Sequence, residues 1–355
     1  MKCIFQSWGL FFCSTISGGF MRRFFFLISL FLAPVMFWPG GAYASSTLSY
    51  STFFPSTHIQ AQTAQAWCKE VEKRTERRIR INFYPGQTLT KADQTYDSVM
   101  DGICDIGTSC LAYTPGRFPV MSAMDLPFGY PSAVAATKAA NTLYAQMNPE
   151  EFSTTKVMYF NAHGPGYIHT KGEPVRNLDE LKGLKIRSTG MSAEVIKALG
   201  GSPVSMPMPD TYQALQKGLV EGSIHPIETN KGWNIGEVVD FMTQTDATGY
   251  TTTFFVVMNK DKWNSLDHKD QEIISQINQE WALNHAHAWD ESDTEGMDFF
   301  RQEGGEVITL SEEENAKWSK TVAPVIKAYK QKLNAQGYAG DAVITTIEES
   351  LHQLK

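Results

Sequence analysis

Only a few places in this chain combine side-chain type and spacing in a way that could support chemistry. His163-Gly164-Pro165-Gly166 faintly parallels the glycine-rich oxyanion loop of esterases, but no GxSxG nucleophile elbow accompanies it. His285, His287 and Asp290 suggest a metal site until their context is read. They fall in a helical pattern, where positions two apart point in different directions, and only His287 and Asp290 have the i, i+3 spacing of helical metal pairs. Aspartates and glutamates are plentiful but scattered, and no pair stands out for glycoside chemistry. No CxxC and no spaced Cys/His quartet provides a structural zinc site. No catalytic residue, metal or cofactor is therefore assigned, and the chain is not read as an enzyme.

The N-terminus points to export. Met21, Arg22 and Arg23 precede FFFLISLFLAPVMFW and then GGAYAS, a basic start, a short apolar stretch and an Ala42-Tyr43-Ala44 cleavage pattern. Met21 is the expected start, cleavage is expected after Ala44, and residues 1–44 are read as an N-terminal extension and signal peptide. Pro34, Pro39, Gly40 and Gly41 interrupt the apolar run before it could span a membrane. A periplasmic location follows. Without Lys2, Arg22 and Arg23 the formal charge moves from −7 to −10, and an acidic chain without a basic stripe is a poor partner for nucleic acid. An anionic ligand would need a local cation. Cys68, Cys104 and Cys110 remain after the leader, and an oxidising compartment permits one disulfide among them, its pairing open.

Short strand-like runs alternate with helical segments over the rest of the 355 residues, so the class is α/β. TLSYSTFF reads as a strand, and Pro55-Ser56-Thr57 as the turn and cap of a helix through Trp67, Val71 and Arg74. RIRINFY alternates apolar and polar residues up to Pro85-Gly86. Thr90 is expected to cap a helix ending at Gly102, before the strand CDIGTSCL. LKGLKIRS, MSAEVIKALGG, SPVSMP and PDTYQALQKG repeat the strand and helix grammar. TTFFVVMN is a late strand, residues 268–302 form a long helix, and a further helix starts at a Ser311 cap and runs past Pro324. The chain ends after an amphipathic helix with no apolar span.

VRNLDELKGLKIRSTG followed by ALGGSPVSMPMPDTYQALQKGLVEG strongly resembles the DctP family of TRAP-transporter solute-binding proteins. FYPGQTLT, DGICDIG and MDLPFGY extend the resemblance over essentially the whole mature chain. It implies a type II periplasmic binding fold: two α/β lobes joined by a hinge, with long C-terminal helices, closing over an anionic ligand. Residues 45–170 with about 255–300 are expected to form lobe 1. Residues 171–254 with about 301–355 are expected to form lobe 2 and the C-terminal helices. The family's fixed arginine falls on Arg187, whose planar fork suits a carboxylate.

Two departures bear on the ligand. Tyr167, in HGPGYIHTKGEPV, stands where better-known members often carry a second arginine, and His225, in EGSIHP, stands where they show asparagine. Both can donate hydrogen bonds, with less fixed charge than a second arginine. The resemblance also sets Phe53, Phe54, Cys110, Tyr113, Met206, Met208, Trp233 and Tyr250 near the cleft, a lining that suits an aromatic or indole-type monocarboxylate. With Cys110 at the cleft, Cys68 and Cys104 are the expected disulfide partners. The implied partners are a small organic carboxylate and TRAP permease membrane subunits. The alternatives are a C4-dicarboxylate or hydroxy/keto-acid binder of the same family and, from other classes, a periplasmic enzyme or sensor.

Overall fold

The computed structural model describes residues 46–353; the expected export segment lies outside them. The chain first lays down β1 (Ser46–Thr52), α1 (Ile59–Arg74), β2 (Ile79–Tyr84), α2 (Thr95–Met100), β3 (Ile106–Cys110), α3 (Ala133–Met147) and β4 (Thr155–Ala162). β5 (Gly166–Thr170), α4 (Leu178–Leu181), β6 (Lys185–Ser188), α5 (Gly190–Ala198), β7 (Ser202–Ser205), α6 (Thr211–Gln216), β8 (Gly222–Pro226), α7 (Thr229–Gly232) and β9 (Phe241–Gln244) follow. The last elements are β10 (Thr253–Asn259), α8 (Lys260–Asn264), α9 (His268–Gln302), β11 (Glu306–Thr309), α10 (Glu312–Ala335) and α11 (Gly340–His352).

Two sheets result, ordered β2-β1-β3-β10-β4 and β11-β9-β5-β8-β6-β7. In each, one strand runs antiparallel to both its neighbours: β10 in the first, β5 in the second. Each of these strands is the first after a passage from one sheet to the other, β4 to β5 and β9 to β10, and a third passage leads from β10 to β11 of the second sheet. Each sheet with its covering helices makes one lobe.

Long helices tie the lobes together. α9, about 50 Å long at 1.5 Å per residue, buries Ile274 and Ile277 beside Trp67 and Val71 of the first lobe. Farther along, its Phe300 lies beside Leu215 and Met242 of the second. α10 begins at Ser311, whose hydroxyl accepts from Glu314 N at 3.2 Å. It places Trp318 and Val322 in the second-lobe core with Ile186 and Val195, then Tyr329 and Leu333 in the first-lobe core with Tyr96 and Phe118.

The expected lobe boundaries change accordingly. β5, expected in lobe 1, pairs in the second sheet, whereas α11 and the end of α10, expected in lobe 2, pack on the first lobe through Val343, Ile347 and Leu351. α9 belongs to both.

Two local expectations are also corrected. α1 is capped by His58, whose Nδ1 accepts from Gln60 N at 3.2 Å, not by the Pro55-Ser56-Thr57 turn. Thr90 does not cap α2; its hydroxyl links Ser51 and Thr95 at 2.8 and 3.1 Å. The expected disulfide is not formed: Cys68 and Cys104 are free and buried in different core clusters, and Cys110 is free and buried as well. Among the described residues no helix is long and apolar enough to cross a membrane.

Candidate functional site

The two sheets bring eight of the eleven expected ligand residues to one cavity. Phe53, Phe54, Tyr113, Arg187, Met208, His225, Trp233 and Tyr250 all line it. Phe53 and Phe54 follow β1 and Tyr113 follows β3, both at the ends of first-sheet strands, where α/β folds place ligands. Arg187 comes from β6 and His225 from β8, which run parallel with Arg187 in register with Ser223. The enclosed volume is about 30 Å³, room for about two waters. In this form the cavity walls close on one another.

Arg187 is 4 % exposed, and its Nε donates to the Met206 carbonyl at 3.0 Å. Among the described residues no carboxylate lies within 4.0 Å of its guanidinium. A buried cation without an acid partner is costly, because desolvation is not offset by Coulomb attraction. The guanidinium is thus oriented by that backbone bond and by a hydrogen bond with the Tyr113 phenol, and it lacks an acid partner. Arg187 is also the only lysine or arginine among the described residues of the lining.

The nearby histidines do not add charge at neutral pH. Burial holds His163 down to about 4 despite its bond to the Gly164 carbonyl, and His169 down to about 3. His225 is pushed well below its ordinary value, first by burial and then by the fields of His169 and Arg187. His225 stacks on His169 at 3.9 Å, its Nδ1 is 2.9 Å from Ser223 Oγ, and its ring is buried beside the Asn230 side chain, a hydrogen-bonding neighbour. The phenol of Tyr113 accepts from Met208 N at 2.9 Å, and burial raises its pKa and that of Tyr250.

Beyond this polar end the lining is a cage of rings. Phe53 stacks on Trp233 at 6.1 Å and meets Tyr113 edge-on at 5.5 Å; Phe254 stacks on Trp289 at 5.3 Å and lies 5.6 Å from Phe54. The cage draws on both lobes and on α9, through Trp289.

Three expected residues take other places. Tyr167 stands opposite His225 on β5 but packs against the cluster of Val238, Met242 and Phe300, where its ring finds apolar cover. Met206 serves through its carbonyl, its side chain turning to the same cluster. Cys110 is buried behind the wall with Phe53 and Phe254, and burial raises its thiol pKa.

Several lining residues were not anticipated: Thr189, Pro226, Glu228, Thr229 and Trp289. His163 was noticed only as part of a weak hydrolase pattern, and it lies between Tyr250 and Trp289. The usable signal was its place just before β5, where the chain enters the second sheet. His285 and Asp290 have structural partners instead of a metal. His285 contacts Gln60 and the Tyr159 hydroxyl, while Asp290 accepts from Ala133 N and Val134 N at 2.7 and 3.2 Å, capping α3.

Residues 50–332 match the model of bacterial extracellular solute-binding protein, family 7. Among characterised relatives, the 2,3-diketo-L-gulonate-binding periplasmic protein YiaO of Escherichia coli is 25 % identical over 288 residues, 79 % of this chain and 86 % of YiaO. A TRAP solute-binding protein from Rhodoferax ferrireducens, solved with copurified benzoate, superposes with a TM-score of 0.82 at 29 % identity, covering 87 % of this chain and 98 % of that one. A marine-metagenome TRAP protein specific for aromatic acid ligands, solved with 3-hydroxybenzoate, gives 0.83 at 28 % identity over the same shares. The family match over most of the chain and the shared type II periplasmic fold agree with the cleft, its buried arginine and the absence of an assigned catalytic group. The chain therefore belongs to the DctP family of TRAP-transporter solute-binding proteins, extracytoplasmic subunits that bind small organic acids for membrane permeases and are not enzymes.

Proposed function

We propose that this protein captures a monocarboxylate bearing an aromatic ring, holding the carboxylate on Arg187 and the ring inside the cage of Phe53, Phe54, Trp233, Phe254 and Trp289. The observation that carries this reading is the buried guanidinium, without an acid partner, at one end of an aromatic cage. A carboxylate supplies the acid partner that the guanidinium lacks, through charge-assisted hydrogen bonds. Benzoate and 3-hydroxybenzoate in two structural relatives support the same class.

A C4-dicarboxylate fits less well, because the lining holds one fixed cation and its histidines are neutral. A sugar acid, as the name of YiaO implies for that relative, needs many polar partners where this cage offers ring faces. Binding proceeds by lobe closure, with opening needed first because about 30 Å³ cannot admit a ring. The closed form then presents the ligand to the permease.

The test is titration calorimetry of wild type and Arg187→Ala with benzoate, phenylacetate, indole-3-acetate, succinate and gluconate. Binding of an aromatic acid that the variant loses supports the reading. Preference for succinate or gluconate overturns the ligand class, and equal binding by the variant overturns the site.

A further inference from the structure

The far end of the ring cage is polar for a reason that packing does not supply. Glu228 follows β8, five positions beyond Ser223, the residue in register with Arg187. At about 3.3 Å per strand residue, the chain has moved on the order of 10 Å from that register by Pro226. Glu228 lines the cavity and is 2 % exposed.

Its two carboxylate oxygens differ. Oε1 accepts from the Thr229 hydroxyl at 3.0 Å. Oε2 lies 3.2 Å from His58 Nε2, yet neither atom completes a hydrogen bond, and both are buried. His58 Nδ1 accepts from Gln60 N at 3.2 Å, which assigns the proton of the neutral ring to Nε2. One buried acceptor and one buried donor thus stand side by side, each unsatisfied, and such atoms are expensive to leave unpaired.

The pair is continuous with the cage. The His58 ring lies 4.6 Å from Phe54, 5.5 Å from Trp233 and 5.8 Å from Trp289. Gly232 closes over the pair so tightly that a Cβ there would stand 2.5 Å from Glu228 Oε2 and 2.8 Å from His58 Nε2. An aromatic acid held at Arg187 points its ring towards this end.

A ligand hydroxyl matches both atoms, donating to Oε2 while accepting from Nε2–H, as a bridging water also does. A second carboxylate would meet Glu228 as a like charge, and a bare ring edge would leave both atoms unpaired.

We infer that Glu228 and His58 form a second recognition pole of the site, selecting an aromatic monocarboxylate that carries a hydroxyl on the part of its ring away from the carboxylate. The inference rests on the reading of Arg187 as the carboxylate anchor.

The experiment measures dissociation constants of the wild-type protein, Glu228→Leu, Glu228→Gln and Arg187→Ala. The probes are benzoate, phenylacetate and the 2-, 3- and 4-hydroxy isomers of each. In wild type, at least one hydroxy isomer is expected to bind about tenfold to a hundredfold tighter than its parent acid. Glu228→Leu reduces that preference, measured as the ratio of hydroxy to parent acid within the variant, to below about threefold, and Glu228→Gln keeps part of it. Parent acids that bind wild type as tightly as every hydroxy isomer, or a preference that survives Glu228→Leu, overturn the second pole. Absence of binding by any of these acids, or an Arg187→Ala variant that binds as well as wild type, overturns the anchor reading instead. If Glu228→Leu does not fold by circular dichroism, the wild-type comparison of parent and hydroxy acids decides together with Glu228→Gln.

Discussion

Arg187, on the proposed reading, is a side chain poor for stability and kept for binding. It is buried, carries a permanent charge and meets a backbone carbonyl but no acid, so the empty protein bears a desolvation cost that a ligand offsets. Two outcomes follow. Arg187→Lys keeps the charge but loses the planar fork, and should weaken binding of the best aromatic acid by about tenfold or more by calorimetry, with Arg187→Ala worse again. Arg187→Met, matched in volume and uncharged, should melt at a higher temperature than wild type in the absence of ligand, because it removes the unpaired charge. An unliganded Arg187→Met that melts below wild type would mean that the arginine is a structural strut. This residue was legible in the sequence because it lies inside a distinctive motif. Glu228, His58 and Trp289 were not, since each is one common residue whose role depends on neighbours distant in the chain: His58 with Glu228, and Trp289 with Phe54 and Phe254.

α9 shows how an element converts sequence pattern into site geometry. Its limits at His268 and Gln302 match the helical run read from residues 268–302, because period, length and the following Gly304-Gly305 agree. What the pattern could not supply is what it touches. Asp290 caps α3 of the first lobe, and one turn later Asp293 accepts from Glu228 N at 2.8 Å, in the second. Gly296 lets the helix approach the same loop, since a Cβ there would stand 2.3 Å from the Ile227 carbonyl oxygen. Gly296→Ala should therefore destabilise the protein by about 1–3 kcal/mol in denaturant unfolding, although alanine is the better helix former. A neutral or stabilising effect would show that the contact yields easily. Asp293 adds a pH dependence: burial raises its pKa to about 7, with the nearby Glu228 and Asp290 contributing. A carboxyl whose folded pKa lies above its unfolded value of about 3.9 contributes most stability when protonated, and that contribution is lost as pH rises from about 4 through 7. Asp293→Asn keeps an acceptor for Glu228 N and should lose less stability than wild type over that range, on the order of 1–3 kcal/mol less. Melting temperatures of both proteins at pH 4, 5.5 and 7 measure the difference, and parallel curves would exclude Asp293 as the source.

At the scale of the molecule, the two-lobe plan was legible in the alternation of strands and helices, but the partition of the C-terminal segments was not. An amphipathic helix states that it has an apolar face without stating whose core that face joins, and α10 serves two cores in succession. That sharing has a thermodynamic consequence. If the lobes had independent cores, they could melt in two steps, and an aromatic acid would raise only the step in which its contacts are lost. Here α9 and α10 each bury side chains in both lobes, and α11 from the end of the chain completes the first. Unfolding either lobe strips apolar cover from the other, so the protein should melt in one calorimetric transition with equal van't Hoff and calorimetric enthalpies. A ligand at a hundred times its dissociation constant adds about 2.7 kcal/mol to the whole, shifting that single peak upward by about 5 °C for a domain of this size. A thermogram that resolves into two peaks, with the ligand moving one and not the other, would show that the long helices pack on both lobes without coupling them, and closure would then have to be carried by the crossover strands alone.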